Sequence, residues 1–193
     1  MTTRAKLFLG IGILVILFPA GTFSQPDAPP KEAINVTAAE IKAVQQDEIK
    51  KHQQTVDEAI KIVDMGKYNL SISVVRRLPL KPGEPVSSVV HFQTAETYII
   101  TSGAGTLVTG GKLINPQQSP PDSEGVKILN GPSASGVATG TTKRKVSVGD
   151  VIIIPPGVSH TWIDIVDHID YLTVRPDPDH VLQAGYVNPV LKK

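Results

Sequence analysis

Apolar residues are spaced in two ways along this chain, and the change falls at Gly66. Before it, Ile41, Val44, Val56, Ile60 and Val63 recur about every three to four residues, the period of one helix face. Thr37 followed by Glu40 forms a capping box at the start of this stretch, and Gly66 supplies a stop. The pattern predicts one long amphipathic α-helix over residues 37–64, laid against the rest of the molecule or a second subunit. After Gly66, short runs rich in Val, Ile, Thr and Tyr alternate with Gly, Pro and Asp/Asn turns, the signal of an all-β sandwich or barrel. Strands are predicted at 68–76, 86–92, 96–101, 105–109, 145–148, 150–154, 160–165 and 169–175. Residues 110–142 are polar and rich in Gly, Pro and Ser, with only 126–129 fit for a strand. Such an excursion reads as a flap over one end of the barrel.

Composition narrows the picture. A chain of 193 residues suits one ordinary domain, and 40% hydrophobic with 19% charged residues is a globular balance. A formal charge of +1 gives no electrostatic reason to expect nucleic acid as a partner. The absence of Cys excludes disulfides, thiolate nucleophiles and zinc–thiolate sites. At the N-terminus, Arg4 and Lys6 precede an apolar run over residues 7–18, and small residues at 20–24 lead into Gln25. That is the order of a secretory signal peptide. The run is shorter than the roughly 20 residues a membrane-spanning helix needs, so no stable anchor is expected after cleavage. The domain reading is a signal peptide over 1–24, a leader and helix over 25–66, and a single β-barrel over 67–193.

Two segments carry the candidate chemistry. In the second, Gly149-Asp150 is a turn, residues 151–154 form a buried apolar strand, and Pro155 and Gly157 make a bend that delivers His160 to the next strand. The spacing Gly, five residues, Pro-x-Gly, two residues, His resembles the second sequence motif of the cupins, with Asp164 where that motif has Asn. In the first segment, five residues after Gly83 lead to Val89, with His91, Glu96 and Gly103 following. This resembles the first cupin motif, with Val89 where the first His stands. Another register takes His91 as the first His and Gln93 as the second, and loses Gly83.

The resemblance covers residues from about 66 to 175 and implies a jelly-roll β-barrel preceded by the helix. It further implies one divalent metal ion, commonly iron, manganese, nickel or zinc, held by His91, Glu96 and His160. Two imidazoles and one carboxylate are the ligands that non-haem Fe(II) oxygenases use with open positions. The open alternative is a barrel without metal, with both histidines as interior polar residues. A small-molecule dioxygenase leads the functional readings. A metal-dependent lyase or isomerase, and a non-catalytic binding barrel, stand beside it. Cupins often pair through their barrels, so a homodimer is implied.

Other residues complete the reading. Tyr98 shares strand parity with Glu96 and points to the same interior, either as a catalytic donor to substrate or as barrel filling. Trp162 shares parity with His160 and reads as pocket wall; Asp164 reads as a histidine-orienting group or as surface. His52, His168 and His180 read as outside the site, residues 103–105 and 110–111 as hairpin turns, and no serine has a base nearby in sequence. Export is directly testable. N-terminal sequencing of protein from its native host should find a mature chain beginning near Gln25, in the periplasm or outside the cell; an intact Met1 refutes this.

Overall fold

The structure, a computed structural model, describes residues 29–51 and 56–192; the expected signal peptide and His52 lie outside them. Helix α1 (Ala38–Lys51) opens with the expected capping box. The Glu40 amide donates to Thr37 Oγ1 at 3.2 Å, and the Thr37 amide donates to Glu40 Oε2 at 2.7 Å. The helix then ends well short of residue 64. Val56–Asp64 is a strand, β1, paired antiparallel with β2 (Asn69–Arg77). The expected long helix is therefore corrected. Val56 and Ile60 are four residues apart, a spacing that keeps them on one face of a helix and equally on one face of a strand. The free edge of β2 settles the choice, because pairing there satisfies the backbone groups of both strands. Val56 and Ile60 then pack with Val74 against Val44 of α1.

Eight further strands follow: β3 (Ser88–His91), β4 (Glu96–Thr109), β5 (Lys112–Gln118), β6 (Ser133–Thr139), β7 (Thr142–Ser147), β8 (Val151–Ile154), β9 (His160–Ile163) and β10 (Ile169–Asp177). All pair antiparallel, in the order β1-β2-β10-β4-β9-β3-β6-β5, with β7 and β8 also on β4. Strand β4 belongs to both halves of the barrel. Its first residues pair with β10 and β8, and its last with β9 and β7. The two strands expected at 96–101 and 105–109 are thus one continuous strand. Residues 103–105, expected as a hairpin, are where β4 passes between the sheets, and residues 110–111, expected as another, link β4 to β5, which pairs with β6 and not with β4. Gly103 has φ +71°, and a Cβ there would stand 1.9 Å from the His168 carbonyl oxygen, so only glycine fits the crossing.

The expected flap is also corrected. Strand β6 pairs with β3, His91 opposite Ser133, and β5 pairs with β6. Residues 126–129, expected as a possible strand, lie within a turn of π-helix, Gly125–Asn130. The β6 sequence Ser-Ala-Ser-Gly-Val-Ala-Thr is poor in bulky strand formers, so its role comes from pairing and not from propensity.

Inside the barrel, one region is apolar, built from Tyr98, Ile100, Leu107, Trp162, Ile169 and Tyr171 among others. Another is polar. Across β2 and β10, Ser71 faces Arg175, Ser73 faces Thr173 and Asn69 faces Asp177, all buried. Parity on β1 places Asp57 with these interior groups and Glu58 on the side of α1, with Val56 and Ile60. Among the described residues no helix is long and apolar enough to cross a membrane.

Glu58 makes the helix seat sensitive to pH. Burial, then the negative charges of Glu48, Glu124 and Asp57, push its carboxyl from 4.5 up to about 7. A carboxyl raised on folding contributes its stability fully below the unfolded value near 4.5 and loses it as pH rises through about 7. Glu58→Gln should therefore raise the melting temperature at pH 8 and leave it nearly unchanged at pH 4.5. Thermal melts at both values test this, and equal shifts at the two would contradict it.

Candidate metal centre

The chain's two motif segments meet at one place in the barrel. His91 ends β3 and His160 begins β9, where Val89 and His160 are partners across the two strands. The bend before His160 is tied to the first segment directly, the Gly157 amide donating to the His91 carbonyl at 2.7 Å. Gly157 has φ +80°, which lets the chain turn this tightly. Glu96 opens β4 opposite Ile154. Alternation then turns Glu96, Tyr98 and Ile100 inward and leaves Ile99 exposed, as the sequence pattern requires.

His91, Glu96 and His160 are all buried, and one ligand atom from each lies within 4.8 Å of the others. Glu96 Oε2 is 3.0 Å from His160 Nε2 and 3.5 Å from His91 Nε2. The ring orientations follow from the other nitrogens. His160 Nδ1 stands 3.1 Å from the Val158 carbonyl, which can only accept, so that nitrogen carries the proton. Ser133 donates its hydroxyl to the Gly131 carbonyl at 2.8 Å, so its oxygen accepts from His91 Nδ1, also at 2.8 Å. Both rings therefore present Nε2 lone pairs towards the same carboxylate oxygen. A shared cation is what such a donor set fits. Bonds of about 2.1 Å put neighbouring ligand atoms about 3.0 Å apart at right angles and about 3.4 Å at tetrahedral angles.

Glu96 is held by more than the histidines. Arg175 Nε donates to Oε1 at 2.7 Å, and the Tyr98 hydroxyl donates to Oε2 at 2.9 Å. Burial alone would push the Glu96 carboxyl up, but the Arg175 charge opposes it, and the carboxyl is held well below the usual carboxylate range. Burial lowers His91 despite the pull of Glu96, which keeps the ring neutral and able to act as a ligand. Tyr98 is raised well above its ordinary value by burial and then by the Glu96 charge, so it keeps its proton and acts as a donor. Val89 leaves its side of the cluster without a ligand. It lines, with Tyr98, His160, Trp162 and Tyr171, a cavity of about 210 Å³.

The remaining candidates fall elsewhere. Gln93 is half-buried in the loop after β3. Trp162 is pocket wall, as expected; Asp164 and His180 are exposed. His168 lines a larger depression of about 750 Å³ that contains none of the three cluster residues. There Ser102 does meet a base, His168 Nε2 at 2.9 Å, with Asp167 on Nδ1 at 2.6 Å. Ser102 and His168 are 66 residues apart in sequence, the Asp167 side chain is 86% exposed and Ser102 lies within the β4–β10 ladder. Sequence reading missed Arg175, Asp57 and Ser133. Arg175 shares parity with Tyr171 and Thr173, so an arginine on the inward face of a strand was the available signal. Asp57 was hidden by the helical reading of β1, and Ser133 by the flap reading.

No family model and no curated protein matches this chain. Solved structures do. A protein from Bacillus halodurans covers 83% of this chain and 92% of its own at 13% identity and a TM-score of 0.45. An RmlC-like cupin family protein with a double-stranded β-helix fold, from Methanocaldococcus jannaschii, covers 64% and 83% at 17% identity and a TM-score of 0.36. A recombinant oxalate oxidase in complex with glycolate covers 65% and 52% at 14% identity and a TM-score of 0.38. By its own topology the chain is all-β, ten antiparallel strands preceded by one helix, with a His–Glu–His cluster inside.

The Glu96–Arg175 pair gives a direct test of how this interior is held. Arg175→Met leaves a buried carboxylate without its cation, which should cost about 3–5 kcal/mol. Adding Glu96→Gln to that variant should recover most of the loss. Denaturant melts of the single and double variants measure both, and a double variant no more stable than the single would show that the pair is not the cause.

Proposed function

We propose that this chain is an exported protein that binds one divalent metal ion through His91 Nε2, Glu96 Oε2 and His160 Nε2 and acts on a small molecule. The observation that carries this reading is the convergence of two imidazole lone pairs on one carboxylate oxygen, with both Nδ1 atoms already engaged by Ser133 and Val158. Such outer hydrogen bonds fix ring orientation and tautomer in histidine metal sites. Arg175 holds Oε1 and so aims Oε2 at the histidines. The missing fourth ligand at Val89 opens the cluster towards the cavity.

When bound, a metal with two histidines and one carboxylate supplies a Lewis-acid and redox-capable centre with open positions, and iron(II)-dependent oxygenation is the chemistry that this set suits. The chain's own groups divide the remaining work. Tyr98 donates a hydrogen bond at Oε2, and Trp162 and Tyr171 wall the cavity against water. A lyase or isomerase using Glu96 as base gains less support, because both carboxylate oxygens are engaged and the group is held as a carboxylate. Pairing of two barrels into a homodimer is part of the same proposal.

Metal content of protein purified without added metal, measured by mass spectrometry, tests the site. Alanine at His91, Glu96 or His160 should lower affinity by more than the roughly 10–100-fold that loss of an outer hydrogen-bond partner costs. Gln93→Ala should leave occupancy unchanged. Val89→His should tighten binding while any oxygen-dependent turnover falls, since the added ligand fills the open position. If none of these changes alters metal content, the barrel binds no metal at this cluster.

A further inference from the structure

The charges around the cluster form an alternating file. Glu96 pairs with Arg175, whose Nη2 is 3.7 Å from Asp57 Oδ1, and Asp57 pairs in turn with Arg77. Two acids and two bases cancel. The Glu96 charge that would ordinarily offset part of a metal's charge is already matched by Arg175, and both histidines are neutral ligands. A dication placed there therefore brings two positive charges into a buried site whose acids are already answered. Burying an unmatched charge is costly, so an anion completes the site.

The cavity is built to accept one. Among the described residues Arg77 is its only charged lining residue, and no carboxylate is in the lining. The Tyr171 hydroxyl accepts from Trp162 Nε1 at 3.1 Å and has no acceptor for its own proton among the described residues. Burial pushes Tyr171 up to about 12, so that proton stays available to a ligand. The rest of the wall has an apolar part, with Leu78, Val89, Trp162 and Ile165 in it, and a hydroxyl-bearing part that includes Ser88, Ser135 and Thr161. At about 30 Å³ for each water-sized group, 210 Å³ holds about seven such groups.

We infer that the ligand of this site is a small carboxylate anion with an apolar body, its charge met by the metal and Arg77 and its body lying against Trp162 and Val89. The inference rests on the metal reading above. Metal content, measured first, separates failure of that reading from failure of this one.

Trp162 is the only tryptophan in the chain and stands in the cavity wall, so its emission reports occupancy directly. The full-length protein, metal-loaded and metal-free, is titrated with benzoate, with benzamide as the uncharged probe of the same shape, and with inorganic phosphate. Benzoate should change Trp162 emission in metal-loaded protein and bind about tenfold to a hundredfold tighter than benzamide, the range of a hydrogen-bonded charge. In metal-free protein, where the file is neutral, that preference should shrink. Arg77→Gln should weaken benzoate far more than benzamide at matched metal occupancy, and Arg77→Lys should restore much of the preference. The wild-type benzoate-to-benzamide ratio decides the matter even if Arg77→Gln fails to fold. Equal binding of the two in metal-loaded protein overturns the inference and leaves the metal reading standing. Phosphate binding as tightly as benzoate overturns the carboxylate class. No emission change with any probe means that the cavity takes no such ligand, and the inference is then wrong.

Discussion

Glu96 and Arg175 meet at 2.7 Å in the interior of the barrel, both almost completely withdrawn from solvent. A buried pair of this kind costs desolvation on both sides and survives only where further polar groups meet its remaining donors and acceptors. The surrounding residues meet that condition. Ser73 accepts from Arg175 Nη1 at 2.8 Å, Tyr98 donates to Glu96 Oε2, and Asp57 extends the file towards Arg77. Opposite Arg175 on β2 lies Ser71, and beside it Ser73 and Thr173, small residues that leave room for a guanidinium where a larger aliphatic would not. The interior of one half of the barrel is arranged around this pair.

The position of the cluster depends on the pair in a second way. With Oε1 committed to Arg175, the other oxygen is left to face His91 and His160, and Glu96 presents one ligand atom in a fixed direction. The histidines arrive from strands at the other face of the barrel, β3 and β9, whereas Glu96 comes from β4 at its first residue. Because β4 runs through both sheets, bending at Gly103, a carboxylate in one sheet can meet imidazoles in the other. Gly157 completes the contact by bonding to the His91 carbonyl. Backbone geometry at two glycines and one buried ion pair thus set the distances at the cluster.

Where a residue pattern is dictated locally, it was legible from the sequence. Alternation along β4 and β9 sorts Glu96, Tyr98, His160 and Trp162 to the interior, because a strand has a period of two whatever it pairs with. The Pro-x-Gly bend places His160, because only certain backbone angles permit that turn. The capping box marks the start of α1 in the same way, since it joins groups three residues apart. These features gave the all-β reading and the cavity wall, while the ligand set was implied by the resemblance to the cupin motifs.

Tertiary structure decided what depends on a partner distant in sequence. Whether residues 56–64 continue a helix or become a strand is not determined by Val56 and Ile60, which suit both; the open edge of β2 makes them a strand. That change also carries Asp57 into the charged file. Ser133 finds His91 across β3 and β6, from a segment too polar and too rich in small residues to announce a strand. Arg175 meets Glu96 only because β10 lies beside β4 in the sheet. The chain by itself determined which way each side chain faces along its own strand, a matter of backbone period. Which charge meets which followed from strand order, a long-range property that local pattern does not encode.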